Sequence, residues 1–177
     1  MRTLLVGLLL ATAAGRAAAQ RYSTVEPEKR FSLGIQGGVA FPIGSFDDRS
    51  KTGWNAGLVN RFALPSGFSL QLDFDYFDNP GQVGSDSYTH TYGGAIGGGH
   101  PVRRGNVTAY PNLSVGVYWF QNKVSSLTNT QSQAAIDFGT QIAFGHGRMR
   151  PTLGVRWLTS LGSVYYSIIP ITLGLQF

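Results

Sequence analysis

The chain has 177 residues, no cysteine and a formal net charge of +5. This length is typical of one domain, the lack of cysteine excludes a disulfide framework, and a small, scattered positive charge argues against nucleic-acid binding. With 24 glycines, 12% aromatic residues and only 13% charged residues, the composition favours many strands joined by tight turns.

Residues 1–19 have the pattern of a secretory signal peptide. Arg2 precedes an apolar run over residues 4–14, and small residues ending in Ala17-Ala18-Ala19 follow it. The run is shorter than the roughly 20 residues that a membrane-spanning helix needs. We therefore predict export, followed by a charged, flexible periplasmic lead-in at residues 20–30.

From residue 31 onward, apolar and polar residues alternate with a period of two, which predicts β-strands. The segment "FSLQLDFDYF" is the clearest case, with Phe, Leu and Tyr on one face and Ser, Gln and Asp on the other. Together with the glycine-rich stretch at 92–100, the alternating segments predict eight strands; the others lie at about 31–41, 54–64, 68–77, 107–119, 134–144, 149–160 and 169–177.

The predicted connections alternate between short and long. Compact turns at 65–67, 101–106 and 145–148 interleave with polar loops at about 42–53, 78–87, 121–132 and 161–167. This order is typical of an up-and-down barrel with both termini at the short-turn end. We predict an all-β fold for residues 31–177: an eight-stranded antiparallel transmembrane β-barrel with periplasmic termini.

The residue types on the two faces of the strands indicate which face is enclosed. Lysine occurs only at positions 29, 51 and 123 and glutamate only at 26 and 28, so the polar face of the predicted strands lacks the charges of a soluble surface. The alternative is a secreted sandwich with an aromatic core. The apolar face instead carries aromatic residues near both ends, as in an outer-membrane barrel; they are Phe31, Phe62, Phe68, Phe144 and Phe177 at the short-turn end, and Phe41, Trp54, Tyr76, Tyr88, Tyr92, Trp119 and Trp157 at the loop end.

A glycine-rich first strand running into "AFPIGSF" and a last strand "IPITLGLQF" resemble the small eight-stranded outer-membrane barrels of the OmpA/OmpX type, also described as porin-family barrel domains. The resemblance covers residues 31–177. It implies residence in the bacterial outer membrane and recognition of Phe177 by the barrel assembly machinery. It leaves the role open, because the group includes structural proteins, adhesins and lipid-modifying enzymes.

The stretch "YGGAIGGGH" at 92–100 raises the question of a phosphate-binding loop. Such a loop needs a helix after its glycines, and no helical pattern follows Pro101. As a strand, the stretch places Gly93, Ala95, Gly97 and Gly99 in the lumen. Pairing His100 with Val107 would set Gly97 opposite Tyr110.

Three cations and three anions lie on the predicted lumen face, and unpaired charges there would be costly. A Leu64–Phe68 pairing sets Arg61 diagonal to Asp73, and a Phe144–Met149 pairing sets Arg156 opposite Asp137. An eight-stranded barrel has room only for side chains, so we predict a plugged lumen; a narrow polar pathway is the alternative. The predicted charge network consists of Arg61, Asp73, Asp75, Asp137, Arg150 and Arg156.

We predict a structural, envelope-maintaining protein and not an enzyme, with no cofactor and no metal site. His90 lies near Asp86 and Ser87 in sequence, but the pattern of a barrel deacylase is missing and no glutamate follows Glu28. The expected partners are outer-membrane lipids, lipopolysaccharide and the assembly machinery, with the barrel itself a monomer. The alternative is a surface-binding protein or adhesin that acts through its outer loops, whose charged residues are Asp47, Asp48, Arg49, Lys51, Asp86 and Lys123.

Overall fold

The computed structural model describes residues 30–82, 86–162 and 165–177. The predicted signal peptide and the lead-in up to residue 29 lie outside the described residues. Nine strands alternate along the chain with short connections; they are β1 (Phe31–Pro42), β2 (Gly53–Ala63), β3 (Ser69–Pro80), β4 (Tyr88–Gly99), β5 (Val102–Arg104), β6 (Val107–Val124), β7 (Leu127–Phe144), β8 (Arg150–Ser160) and β9 (Ser167–Gln176).

These strands form a closed, antiparallel eight-stranded barrel, as predicted. Sequential neighbours pair, β1 pairs with β9, and β4 and β5 both pair with β6. Gly98 pairs with Leu113 and Val102 with Ala109, so β5 continues β4 in one register. The two make a single barrel strand, interrupted at Pro101, which has no N–H to donate to the ladder.

The connections separate into two ends. Both described termini lie at the end where β2–β3, β5–β6 and β7–β8 are joined, and the remaining connections lie at the other end, called the loop end below. The one helix within the described ranges is a 3₁₀ turn at Gly44–Phe46. No helix among those residues is long and apolar enough to cross a membrane.

The alternation of residues is inside out compared with a soluble protein. Leu173 and Leu113 point outward and are 69% and 62% exposed, whereas Asp73 and Thr91 point inward and are fully buried. A sandwich with an aromatic core would bury the first pair and expose the second. The structure therefore supports an enclosed polar face and an apolar outer wall.

The predicted loop at 121–132 is wrong. Strands β6 and β7 remain paired up to Val124 and Leu127, so that only Ser125 and Ser126 form the turn. Both strand faces of this segment are largely polar, so its hydrophobicity pattern is that of a loop. It lacks glycine and proline, however, and its Thr and Val residues favour a strand.

Strand β7 extends beyond its neighbour β8 at the loop end, whereas β6 stays paired with β4 up to Lys123. Strand β7 begins to pair with β8 only at Ala135, so among the described residues positions 127–133 pair with β6 alone. We call residues 121–133 the overhanging hairpin. Its far edge is a row of backbone groups that no described strand covers.

Two of the three predicted registers are also wrong. The β2–β3 pairing is as predicted, with Arg61 opposite Gln71 and hence diagonal to Asp73. Gly97 faces Ser114, however, because strand structure continues through Arg104 and the turn shrinks to Gly105-Asn106. Across the turn after Phe144, the pairing is shifted by two residues, so that Gly139 faces Arg156 and Leu158 faces Asp137.

The turn of the overhanging hairpin contains a strained residue that is open to test. Ser125 has a φ of 57°, in the left-handed region that favours glycine, whereas the φ of Ser126 is not positive. We expect Ser125→Gly to slow amide hydrogen exchange at Val124 and Leu127, and Ser126→Gly to leave it unchanged or faster. Faster exchange in the Ser125→Gly protein would show that the turn is not strained.

Candidate functional site

The centre of the lumen is occupied by the guanidinium group of Arg156, which extends from β8. Its two terminal nitrogens donate to Asp75 at 2.6 and 3.2 Å, and one of them also donates to Asp137 at 2.7 Å. Asp73 lies 3.8 Å away. All four side chains are at most 8% exposed, so the ion pairs are shielded from water. A carboxylate left alone at this depth would be strongly destabilising.

Glycines give this cluster its space. Gly139 faces Arg156 across the β7–β8 ladder, and a Cβ atom there would lie 2.9 Å from the Arg156 Cγ atom. Gly57 faces Asp75, where a Cβ atom would lie 2.7 Å from the carboxylate. A Cβ atom would also clash with the Val155 carbonyl at Gly139 and lie 2.9 Å from the Phe74 carbonyl at Gly57, so a larger residue would force the strand or the charged side chain to move.

The glycine stretch that resembled a phosphate loop has the same role on β4. Gly93 faces Tyr118, and a Cβ atom on Gly93 would lie 2.6 Å from the tyrosine ring. The Tyr118 hydroxyl in turn donates to Asp75 at 3.0 Å. The glycine stretch therefore makes room for a large side chain, as predicted, although Tyr118 and not Tyr110 occupies the space.

A second group of polar side chains lies toward the short-turn end. Gln71 donates to both oxygens of Asp73 at 2.9 and 2.8 Å and accepts a hydrogen bond from Arg61 at 2.9 Å. Arg61 also donates to Gln141, which donates in turn to Gln36 at 3.1 Å. Glutamine side chains thus carry the hydrogen-bond network from the β2–β3 hairpin to β7 and β1. Charge patterning alone did not reveal these uncharged bridging residues.

Arg150, the third predicted cation, binds an aromatic side chain. It donates to the Tyr110 hydroxyl at 2.7 Å. The guanidinium of Arg61 lies 4.4 Å from the centroid of the same tyrosine ring, within cation–π range. Tyr110 therefore links the two arginines, and Arg61 is connected through Gln71 to Asp73 of the Arg156 cluster.

Toward the loop end, buried aromatic side chains join the polar ones, which corrects the prediction of a polar interior throughout. Phe46 comes from the 3₁₀ turn and Tyr166 from the β8–β9 connection, and their rings meet edge-on at 5.2 Å. Tyr166 also stacks on Phe120 at 4.0 Å. We call these three residues the aromatic plug. The alternating pattern of the sequence did not predict the aromatic plug, because Phe46 and Tyr166 lie in loops. Its buried neighbours include Ala40, Phe77, Leu158 and Ile168.

One predicted loop residue helps to hold the aromatic plug in place. Arg49 donates to the backbone carbonyl of Tyr165 at 3.1 Å, and its guanidinium lies 5.5 Å from the centroid of the Tyr166 ring. It thereby links the loop after β1 to the connection before β9. The other predicted outer-loop residues Asp47, Asp48, Lys51 and Asp86 are exposed at the loop end.

Lys123 is a correction, because it lies in strand β6 opposite Tyr88 and not in a loop. His90 also lies in a strand, β4, opposite Asp78 of β3. The imidazole is 3.5 Å from the Asp78 carboxylate, and this carboxylate accepts a hydrogen bond from the Trp54 indole at 3.1 Å. These residues face outward, so the outer wall carries charged groups among its aromatic residues.

Phe177 lies at the short-turn end beside the first strand. Its backbone N–H donates to the Leu33 carbonyl at 2.8 Å, and its side chain is 42% exposed on the outer wall. The predicted assembly signal is thus accessible from outside the barrel.

Comparison with solved structures finds the same fold in small outer-membrane barrels. Neisserial surface protein A (NspA) gives a TM-score of 0.59 at 9% identity, covering 85% of this chain and 98% of that one. The N-terminal β-barrel domain of Pseudomonas aeruginosa OprF gives 0.52 at 11% identity, covering 84% and 98%. Ail, the attachment invasion locus protein of Yersinia pestis, gives 0.51 at 15% identity, covering 84% and 100%.

These likenesses establish the fold, which is the one that the sequence resemblance implied. No protein-family model and no curated protein matches the chain. The role of the protein must therefore be argued from its own residues.

The Arg156 cluster predicts an unequal response to substitution. Arg156→Met leaves three buried carboxylates without their shared cation, so we expect a loss of about 3–5 kcal/mol in unfolding free energy. Asp137→Asn is expected to cost much less, because Asp75 still binds the guanidinium through two hydrogen bonds. Urea unfolding in lipid vesicles measures both. Equal losses would contradict a cluster in which three carboxylates share one cation.

Proposed function

We propose that the protein is an integral barrel of the bacterial outer membrane, closed to solutes, with a structural role in the envelope. The observation that carries this proposal is the filled lumen. Arg156 and Asp75 join opposite sides of the barrel in the middle, and the aromatic plug covers the loop end. A transport pathway would need water along the axis, and these side chains occupy that space.

In this proposal the signal peptide directs export, and the loops face the cell exterior. The exposed apolar wall contacts hydrocarbon, and the aromatic residues near each end lie at the two membrane interfaces. Phe177 serves the barrel assembly machinery, for which its exposed side chain is suited. The barrel works as a monomer, surrounded by phospholipid and lipopolysaccharide.

A non-enzymatic role fits the groups at the loop end. His90 is the histidine nearest to the outer leaflet in this orientation, and it is engaged by Asp78 and stacked on Tyr88 at 4.1 Å. A general base needs a nucleophile within hydrogen-bond reach. The described contacts of His90 are with a carboxylate and with tyrosine rings, and none of them is an activated hydroxyl.

The test combines fractionation of the expressing bacterium with conductance measurements in a planar bilayer. We expect the protein in the outer-membrane fraction, migrating faster on a denaturing gel when unboiled, and no channel conductance when it is inserted in a planar bilayer. A conducting porin inserted in the same bilayers is the control for sensitivity. A soluble periplasmic protein would overturn the location, and stable conductance of the wild-type protein would overturn the closed lumen.

A second candidate function is binding through the outer surface, and the overhanging hairpin favours it. The Leu161 N–H donates to the Ala134 carbonyl, so the backbone groups of Ala134 face away from β6. Alternation along the strand gives Thr128, Thr130 and Ser132 the same direction. Their N–H and C=O groups form the far edge of the hairpin, which is suited to pairing with an extended peptide.

This candidate is tested by blocking the edge. We expect Thr130→Pro to remove one outward N–H and reduce adhesion of bacteria displaying the protein to host-cell monolayers, with no change in the mobility of the unboiled band. Asn129→Asp, whose backbone N–H faces β6, is the control for a change that leaves the edge intact. Adhesion that is equal in wild type and Thr130→Pro would contradict binding at this edge.

A further inference from the structure

We propose that the outer wall at the loop end binds the phosphorylated sugar headgroup of a glycolipid in the surrounding leaflet. The inference rests on the proposed outer-membrane location and adds a ligand site to it. The site, called the wall cluster below, comprises six side chains from four adjacent strands: Trp54, Tyr76, Asp78, Tyr88, His90 and Lys123.

The strand registers align these residues. Trp54 of β2 pairs with Asp78 of β3, and Asp78 pairs with His90 of β4. Two residue pairs further toward the loop end, Tyr88 of β4 faces Lys123 of β6. The wall cluster is therefore a row across the barrel surface, roughly perpendicular to the strands, at the level of the loop-end aromatic residues.

Close ring contacts make the row continuous. Trp54 lies 5.3 Å from Tyr76, Tyr76 lies 5.8 Å from His90, and His90 stacks on Tyr88 at 4.1 Å with an interplanar angle of 20°. The Lys123 amine lies 5.5 Å from the centroid of the Tyr88 ring. The row runs from the Trp54 indole on β2 to the Lys123 ammonium group on β6, and the Asp78 carboxylate lies between Trp54 and His90.

Anchoring a barrel at a membrane interface requires aromatic rings but not this carboxylate. Asp78 and His90 are each 29% exposed, so both still reach the surrounding medium. Asp78 has two partners, the Trp54 indole and the imidazole, and each holds a different carboxylate oxygen. The Asp78–His90 pair therefore lies among aromatic rings on the outer wall.

A sugar ring matches this surface. Its C–H face is apolar and stacks on aromatic rings, while its hydroxyl groups donate to a carboxylate such as Asp78. The negative charge of Asp78 repels phosphate, whereas Lys123 attracts it. The charge distribution therefore orients the ligand with its sugar over the rings of Tyr76, Tyr88 and His90 and its phosphate toward Lys123. A phospholipid headgroup has the phosphate group but lacks a sugar ring that could stack on the aromatic side chains, so it matches this surface less well.

The opposite sector of the barrel provides a control. There, Trp157 on β8 packs against Phe138 of β7, with ring centroids 5.1 Å apart. It contributes an aromatic ring at the loop-end interface, and its ring partner within the described residues is Phe138, not an Asp–His pair. Trp157→Leu therefore removes an interfacial anchor without touching the wall cluster.

The experiment measures binding of a solubilised bisphosphorylated disaccharide glycolipid to the purified, folded barrel by native mass spectrometry. We expect Tyr88→Leu to weaken binding about three- to tenfold for this glycolipid and for its dephosphorylated form, because both lose the stacking surface. Lys123→Gln is expected to weaken only the phosphorylated form. Trp157→Leu is expected to change neither.

Two results would overturn the proposal. One is equal competition by phosphatidylglycerol, which would show that any anionic lipid suffices; the other is equal binding by wild type, Tyr88→Leu and Lys123→Gln. The mobility of the unboiled band, measured on the same samples, reports whether the barrel is folded. A folded outer-membrane barrel without this selectivity would therefore contradict the glycolipid site alone, whereas loss of the outer-membrane location would contradict the proposed function.

Discussion

The interior of this barrel depends on the ion pairs that the Arg156 guanidinium makes with Asp75 and Asp137. A lumen enclosed by eight strands excludes bulk water, so each charge inside must find its partner in the protein. Asp75 and Asp137 bind the guanidinium directly, and Asp73 is held beside it by Gln71. The glycines on neighbouring strands follow from the same constraint, because they leave the volume that these side chains fill.

The two halves of the lumen are closed by different chemistry. Polar side chains joined by glutamines fill the middle and the short-turn end, whereas Phe46, Phe120 and Tyr166 close the loop end with stacked rings. Arg49 links the aromatic plug to the loops above it. With the axis filled, we place the proposed binding at the overhanging hairpin and on the outer wall. The contacts that stabilise the barrel thus lie inside it, whereas the proposed binding surfaces lie outside.

The strand order, the enclosed polar face and the short-turn end were predictable, because alternation with a period of two depends only on neighbouring residues. The Arg61–Gln71 register was also predictable from a turn with clear proline and glycine signals. The β6–β7 extension was not, since beyond the membrane both faces of a strand are polar. The aromatic plug was missed because Phe46 and Tyr166 come from loops, and the wall cluster emerges only when four registers are known together.

The central claim is that the apolar face meets hydrocarbon while the polar face encloses a filled interior. Magnetisation transfer from lipid acyl protons to side-chain methyl groups, measured by NMR in nanodiscs, tests it most directly. We expect strong transfer to Leu113, Val115 and Leu173, and none above background to Thr91 or Thr172 in the lumen. Transfer to the threonine methyl groups, or its absence at the leucines, would contradict this arrangement of the two faces.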